Sequence, residues 1–282
     1  MRFTALIPCA ALVLAPTVCG AFEINLDKIK SALDRTRDIK PKDDNSEADI
    51  GAGVAANLLG AAPLVRNEKL QQYVNRIGLW LAMQTEKPDI PWHFGVLDTD
   101  SLNAFAAPGG YVFVTRGLLL RMRSEAELAG VLAHEMSHVL KQHHLQAIKK
   151  NAQVGLLADV ASIAVDSSKY GELKQKAISA GTELYARGLD KDDEFEADRM
   201  GVVIAARAGY DPYGLLGALQ TLETISPQDS NVALMFKTHP AAGQRLQLLD
   251  KTMTGKVDKY GSQPQLTERF EKVVGKYVKQ AK

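Results

Sequence analysis

His134, Glu135 and His138 stand in the order H-E-x-x-H within residues 131–140 (V-L-A-H-E-M-S-H-V-L). Leu128, Val131, Leu132, Val139 and Leu140 recur around them at helical spacing, which predicts a buried helix. On a helix, positions i and i+4 lie one above the other on one face. His134 and His138 can therefore offer two imidazole nitrogens to one metal ion. Glu135 sits about 100° further round, within reach of a water that the ion activates but outside the ligand set. Ligands that leave one position open, with a carboxylate beside the water, are what a zinc hydrolase needs. Histidines are tolerated in helix cores and these five letters also recur by chance, so the rest of the chain must supply the context.

A zinc hydrolase with two helix histidines needs a third protein ligand, and two candidates compete. His144 lies six residues after His138, a distance at which a histidine closes such a site when a glycine midway turns the chain back. Here the midway residue is Lys141. Lys141-Gln142 favours an unbroken helix through His143 and His144 to Lys150. That would rotate His144 away from the ion and leave His143 and His144 as solvated helix residues. Glu194, in E-F-E-A-D, is the other candidate. It shares a helix face with Asp198, which could then hold a ligand histidine in its metal-binding tautomer. The competing reading is that this acidic cluster is a solvated helix N-terminus, as Asp192 and Asp193 are expected to be. His93 is a lone histidine and reads as structural.

The elements that must carry these groups can be read in order. Residues 47–59 are rich in small side chains and helical. Residues 67–85 place Leu70, Tyr73, Val74, Ile77, Leu79, Trp80 and Leu81 on roughly one side of an amphipathic helix, ended by Lys87-Pro88. Residues 91–97 read as a strand. Residues 101–115 carry Pro108-Gly109-Gly110 between two β-rich runs, which predicts a hairpin. Ser124 with Glu127 is a capping box opening the H-E-x-x-H helix. Residues 151–165 form an apolar helix too short to cross a bilayer, and 166–171 a break. Residues 190–208 form a helix with acidic first turns, followed by Gly209. Further helices cover 212–224, 241–249 and 267–279, the last one basic and amphipathic. The fold class expected is α+β: mainly helical, with a small sheet beside the zinc helix.

The chain has 282 residues, 46% hydrophobic and 24% charged, with net charge +1. That is one large domain or two small ones, and gives no argument for nucleic acid or an anionic membrane. Arg2, the apolar run 5–14 and the small residues around Cys19, Gly20 and Ala21 read as a secretory signal peptide, cleaved near Gly20 or Ala21. The apolar run is too short for a span, and Pro16-Thr17-Val18 before Cys19 is a poor lipoprotein pattern. Cys9 and Cys19 are the two cysteines, so the mature chain would hold a metal with histidines and carboxylates alone.

H-E-M-S-H, then E-F-E-A-D-R-M-G about sixty residues later, then T-H-P-A-A-G-Q-R-L, with N-A-F-A-A-P-G-G-Y-V-F-V-T-R-G-L-L upstream, resemble metallopeptidase family forty-eight. This is the gluzincin family of the CAAX prenyl proteases, the HtpX-type membrane proteases and the periplasmic BepA-like proteases. The resemblance covers roughly residues 67–249. It implies one zinc ion per chain on His134, His138 and Glu194, with Asp198 behind a ligand histidine and Glu135 as general base and acid. His239 and Arg245 fall in the family's H-P-x-x-x-x-R motif. In BepA-like members that histidine can take the water's position and hold the enzyme latent. In an open state His239 or Arg245 could instead steady the oxyanion; the plain alternative for both is helix capping and a structural ion pair. Asn103, Ala104, Phe105 and Ala106 could act as an edge strand for an extended substrate, or be an ordinary hairpin. Residues 151–189 lie where such proteases keep a helix or loop over the cleft, and gating is expected there.

The division expected is a signal peptide at 1–20, an N-terminal helix and linker at 21–46, a zinc metallopeptidase domain at 47–252 and a basic helix at 253–282. The prenyl-protease and HtpX branches are multispanning, and no span follows the signal here, so CAAX processing is not expected. BepA carries helical repeats for which this chain ends too early. The expectation is an exported, periplasmic zinc endopeptidase acting on misfolded or misassembled envelope or outer-membrane proteins, with no nucleic-acid partner. The alternative is a chaperone-like assembly factor with a largely latent zinc site. A metal-free helical scaffold is the third reading.

Overall fold

A computed structural model describes residues 45–151, 178–179, 188–226 and 228–277. The expectations for the signal segment, the N-terminal helix and linker, the apolar helix at 151–165 and the gating segment fall wholly or almost wholly outside the described residues.

Helix α1 spans Asn45–Ala61 and α2 spans Glu68–Ala82. Asn67 caps α2, its side chain accepting from the Leu70 amide at 3.0 Å. The buried stripe of α2 is Leu70, Val74, Ile77 and Leu81. Leu79 and Trp80 do not join it, contrary to the sequence expectation: they are 42% and 47% exposed. At about 100° per residue they lie well round the helix from that stripe. The Trp80 indole instead donates to the Ala208 carbonyl at 2.8 Å.

Strands β1 (His93–Leu97), β2 (Ala104–Ala107) and β3 (Tyr111–Thr115) form one sheet in the order β1-β3-β2. The expected hairpin is β2–β3, antiparallel with Ala104 opposite Val114. Its turn runs through Gly109 and Gly110, at φ 78° and 100°, a region that favours glycine. β1 pairs with β3 in parallel, His93 opposite Tyr111. Among the three described strands β2 is thus an outer one.

After the short α3 (Arg116–Leu119), α4 (Glu125–Leu140) carries H-E-x-x-H and is buried from Glu125 through Val139. The Ser124 hydroxyl accepts from the Glu127 amide at 3.2 Å, as a cap should, while the Glu127 carboxylate reaches the Arg123 amide at 2.8 Å. The helix does not run on to Lys150 as expected. It stops at Leu140, Gln142 turns left-handed at φ 57°, and α5 (His143–Asn151) begins at once. The amides of Lys141 and Gln142 fold back onto Ser137 and Val139, and the Gln142 side chain donates to Glu47 at 2.8 Å.

The remaining elements are α6 (Lys191–Arg207), α7 (Gly214–Glu223), α8 (Ala233–Thr238), α9 (Ala242–Met253), a 3-10 turn (Asp258–Tyr260) and α10 (Thr267–Phe270), which continues as a π-helical turn, Glu271–Gly275. α6 packs directly along α4. A Cβ added to Gly201 would lie 2.9 Å from the His134 amide nitrogen, so only glycine permits this approach. The main core surrounds α4 with α2, the sheet, α6, α7 and α9. The mainly helical α+β expectation holds.

Candidate metal centre

His134 and His138, one helical turn apart on α4, bring their Nε2 atoms to 3.1 Å from each other. Glu194, in the first turn of α6, faces both: Oε2 lies 3.6 Å from His134 Nε2 and Oε1 3.5 Å from His138 Nε2. His239, between α8 and α9, places Nδ1 at 2.7 Å from Glu194 Oε2. The donor atoms of His134, Glu194 and His239 all lie within 4.8 Å of one another. A tetrahedral ion with ligands at about 2.0–2.1 Å holds neighbouring donors about 3.4 Å apart, and the His134, His138 and Glu194 spacings bracket that value. Glu194 is fully buried, and its Oε1 makes no hydrogen bond among the described residues. A buried, unsatisfied carboxylate oxygen is costly without a cation opposite it. Two imidazoles and a carboxylate suit zinc, and His239 lies against the same carboxylate.

Two further contacts set which nitrogen of each histidine faces that point. His134 Nδ1 lies 2.9 Å from Asp198 Oδ1. A proton on Nδ1 donates there and leaves the Nε2 lone pair facing Glu194. Asp198 is itself held by Arg245, whose Nε donates to Oδ2 at 2.8 Å. Arg245 thus forms a buried ion pair with Asp198, its Nη2 3.3 Å from the His134 ring. His138 Nδ1 lies 3.0 Å from His143 Nδ1, and His143 Nε2 lies 3.3 Å from Glu196 Oε2. One proton assignment satisfies that chain: His138 donates to His143, His143 donates to Glu196, and His138 Nε2 keeps its lone pair for a metal.

Burial and charge set the protonation states. Burial pushes the Glu135 carboxyl up, with His134 and His239 pulling against it. A raised carboxyl suits a group that must both take and return a proton. Burial holds His138 well below the ordinary imidazole range and His144 down to about 3, so both are neutral. Burial opposes charge on Glu194 too, but His239, with His138 and His134, outweighs it and keeps the carboxyl ionised. Asp198 is likewise ionised against its burial, through Arg245. His239 is raised, since Glu194 overcomes the cost of burying its charge.

His143 and His144 correct the sequence expectation. They are not solvated: they are 3% and 8% exposed. The turn at Gln142 swings both back under α4, and His144 packs edge-on against His138 with ring centres 5.4 Å apart. The role of His143 behind His138, with Glu196 behind it in turn, has no local signature, because it depends on a left-handed glutamine. β2 runs beside the site: Ala104, Phe105 and Ala106 line a cavity of about 20 Å³ with Glu135, His138 and His239. Asn103, just before β2, is tied through its amide to Thr115 Oγ1 at 3.0 Å, and borders the other side of Glu135. The structure thus brings His134, His138, Glu194 and His239 together, places Asp198 and Arg245 behind His134, and sets Glu135 and residues 103–106 beside them.

Residues 67–253 match the family model described as peptidase family M48. The chain belongs to peptidase family M48. Among its relatives, the beta-barrel assembly-enhancing protease of Escherichia coli O157:H7 is 32% identical over 205 residues, 71% of this chain and 42% of that protein. The mitochondrial metalloendopeptidase OMA1 of Schizosaccharomyces pombe is 28% identical over 180 residues, 64% of this chain and 52% of the relative. The metalloprotease YcaL of Escherichia coli K12 is 30% identical over 173 residues, 59% and 64% of the two chains. The chain spans less than half the length of the first of these. The resemblance read from the motifs is the family found, and the M48 match runs from the residue that caps α2 to the last residue of α9.

Proposed function

We propose that this M48 chain is a zinc-dependent endopeptidase. The observation that carries the reading is the convergence of His134, His138 and Glu194 on one buried point, beside a raised Glu135 carboxyl. These three side chains would hold one zinc ion, which when bound polarises a peptide carbonyl and acidifies a water. Glu135 takes the proton from the attacking water and delivers it to the leaving amine. Asp198 and His143 keep the two imidazoles in the tautomers that face the ion. β2, with Asn103 at its start, lines the side of the centre along which an extended substrate would lie.

His239 acts as the latch. Its Nδ1 lies 2.7 Å from Oε2 of Glu194, so in this reading it blocks the open position until it swings out. Arg245 serves chiefly to hold Asp198, and adds positive charge beside the centre. The signal-like first residues support export, and the periplasm is the compartment proposed. No described helix is long and apolar enough to cross a membrane. The relatives named beta-barrel assembly-enhancing protease favour envelope and outer-membrane proteins as clients. The latched geometry also favours a second reading, an assembly factor whose centre stays mostly closed.

Metal content and casein cleavage test this together on wild type, Glu135→Gln and His239→Ala. The expected result is one zinc per chain in all three, activity abolished in Glu135→Gln and raised in His239→Ala. Zinc without activity in wild type or His239→Ala would favour the assembly factor. No zinc would overturn the reading. In cells, a Glu135→Gln variant that retains the biological role would separate that role from proteolysis.

A further inference from the structure

A second recess lies at the far end of α4, between α2 and the C-terminal helix. It is an open cleft of about 980 Å³, at the upper end of ordinary ligand pockets. Its floor is Glu125, in the first turn of α4 and fully buried. The Tyr73 and Tyr210 hydroxyls donate to its two oxygens at 2.7 and 2.8 Å, and Arg269 donates to both. Its charge is thereby matched, and it offsets nothing else in the cleft.

The walls carry unmatched positive charge. Lys69 and Arg76 project from α2, Lys272 and Lys276 from the C-terminal helix, and all four line the cleft and are exposed. None of the four pairs with a carboxylate among the described residues, and Glu125 is the sole acid in the lining. The whole chain has a net charge of only +1, so this is a local concentration rather than a general excess. Cations gathered on the two walls of a cleft focus potential and select an anion. The exposed Trp80 and half-buried Tyr277 add apolar wall between them.

We propose that this cleft is a docking site for an acidic polypeptide segment, separate from the catalytic centre. Concavity argues against a bilayer, whose surface cannot reach two facing walls. Charge complementarity argues for an acidic peptide, a chain narrow enough to lie between the two walls and carry carboxylates to both. Glu125 precedes His134 by nine residues, about 14 Å along α4. A client held here adds affinity without filling the catalytic cleft. The proposal does not depend on peptidase activity.

The test uses the full chain and a fluorescein-labelled peptide of alternating Glu and Ser, with a Lys-Ser peptide as control, read by anisotropy. The acidic peptide binds, the basic one does not, and raising salt from about 25 to about 300 mM weakens binding steeply. The double variant Lys272→Glu/Lys276→Glu loses about tenfold in affinity, and Lys69→Glu/Arg76→Glu on the opposite wall does the same. Both change exposed side chains, and unchanged circular dichroism shows that they fold. Equal binding by wild type and both variants, or no binding of the acidic peptide, overturns the proposal. Binding to phosphatidylglycerol vesicles that the variants lose, without peptide binding, overturns it in favour of a lipid surface.

Discussion

His143 meets His138 nitrogen to nitrogen, Nδ1 to Nδ1 at 3.0 Å, with Glu196 3.3 Å behind its other nitrogen. This mirrors the partnership of His134 with Asp198, although the two supports come from different elements, α5 and α6. Removing an acceptor behind a ligand histidine typically costs 10–100-fold in metal affinity. His143→Ala is therefore expected to weaken zinc binding by about that factor in a chelator competition. His143→Asn, which restores an acceptor oxygen near the same place, should recover part of it. Wild-type affinity in His143→Ala would remove His143 from the site.

Arg245 and Asp198 form a pair that is almost wholly buried, at 7% and 1% side-chain exposure. Breaking such a pair leaves one charge uncompensated and costs about 3–5 kcal/mol. Arg245→Met should lower the urea midpoint of the metal-free protein accordingly. If its cost is no larger than that of a surface substitution, the pair is not structural.

Gly201 sits against the backbone of His134. A methyl group there must push α6 away from α4, and overpacking of this kind costs about 1–3 kcal/mol. Since α6 also carries Glu194, Gly201→Ala should weaken zinc binding as well as stability. Thermal melts and chelator competition on the same preparation check both; a loss of stability with unchanged affinity would mean that the helix moves without carrying Glu194.

The metal-free protein should lose stability towards acid in two overlapping stages. His138 and His144 are depressed in the folded state, so below pH of about 6.5 the unfolded chain binds protons that the folded chain refuses. For His144 the loss continues to about pH 3. Glu194 and Asp198, also depressed, contribute stability above the ordinary carboxylate range that is lost as the pH falls through their folded values. His239 is raised and has the opposite sign: its contribution is full below about pH 6.5 and fades as the pH rises through its folded value. Urea unfolding across pH should therefore show a flatter slope between pH 6.5 and 4 in His144→Gln than in wild type. Identical slopes would mean that His144 is not held neutral.

What the sequence determined was local. The spacing of His134 and His138 placed them on one helical face, Ser124 marked where that helix starts, and Pro108-Gly109-Gly110 marked a hairpin that is present. These follow from short-range geometry: a period of 3.6, a cap that satisfies free amides, and a turn that needs positive φ. The tertiary structure decided the rest. Glu194 reaches the histidines only because Gly201 lets α6 lie against α4, a contact between segments about sixty residues apart. Nothing in Lys141-Gln142 announced the left-handed turn that buries His143 and His144; that strain is accepted because the packing beyond it holds the turn in place. Leu79 and Trp80 turned outward because the stripe at Leu70, Val74, Ile77 and Leu81 already fills the face against the core. The parallel register of β1 on β3, and the facing of Lys69 and Arg76 with Lys272 and Lys276, likewise join residues that no local pattern relates.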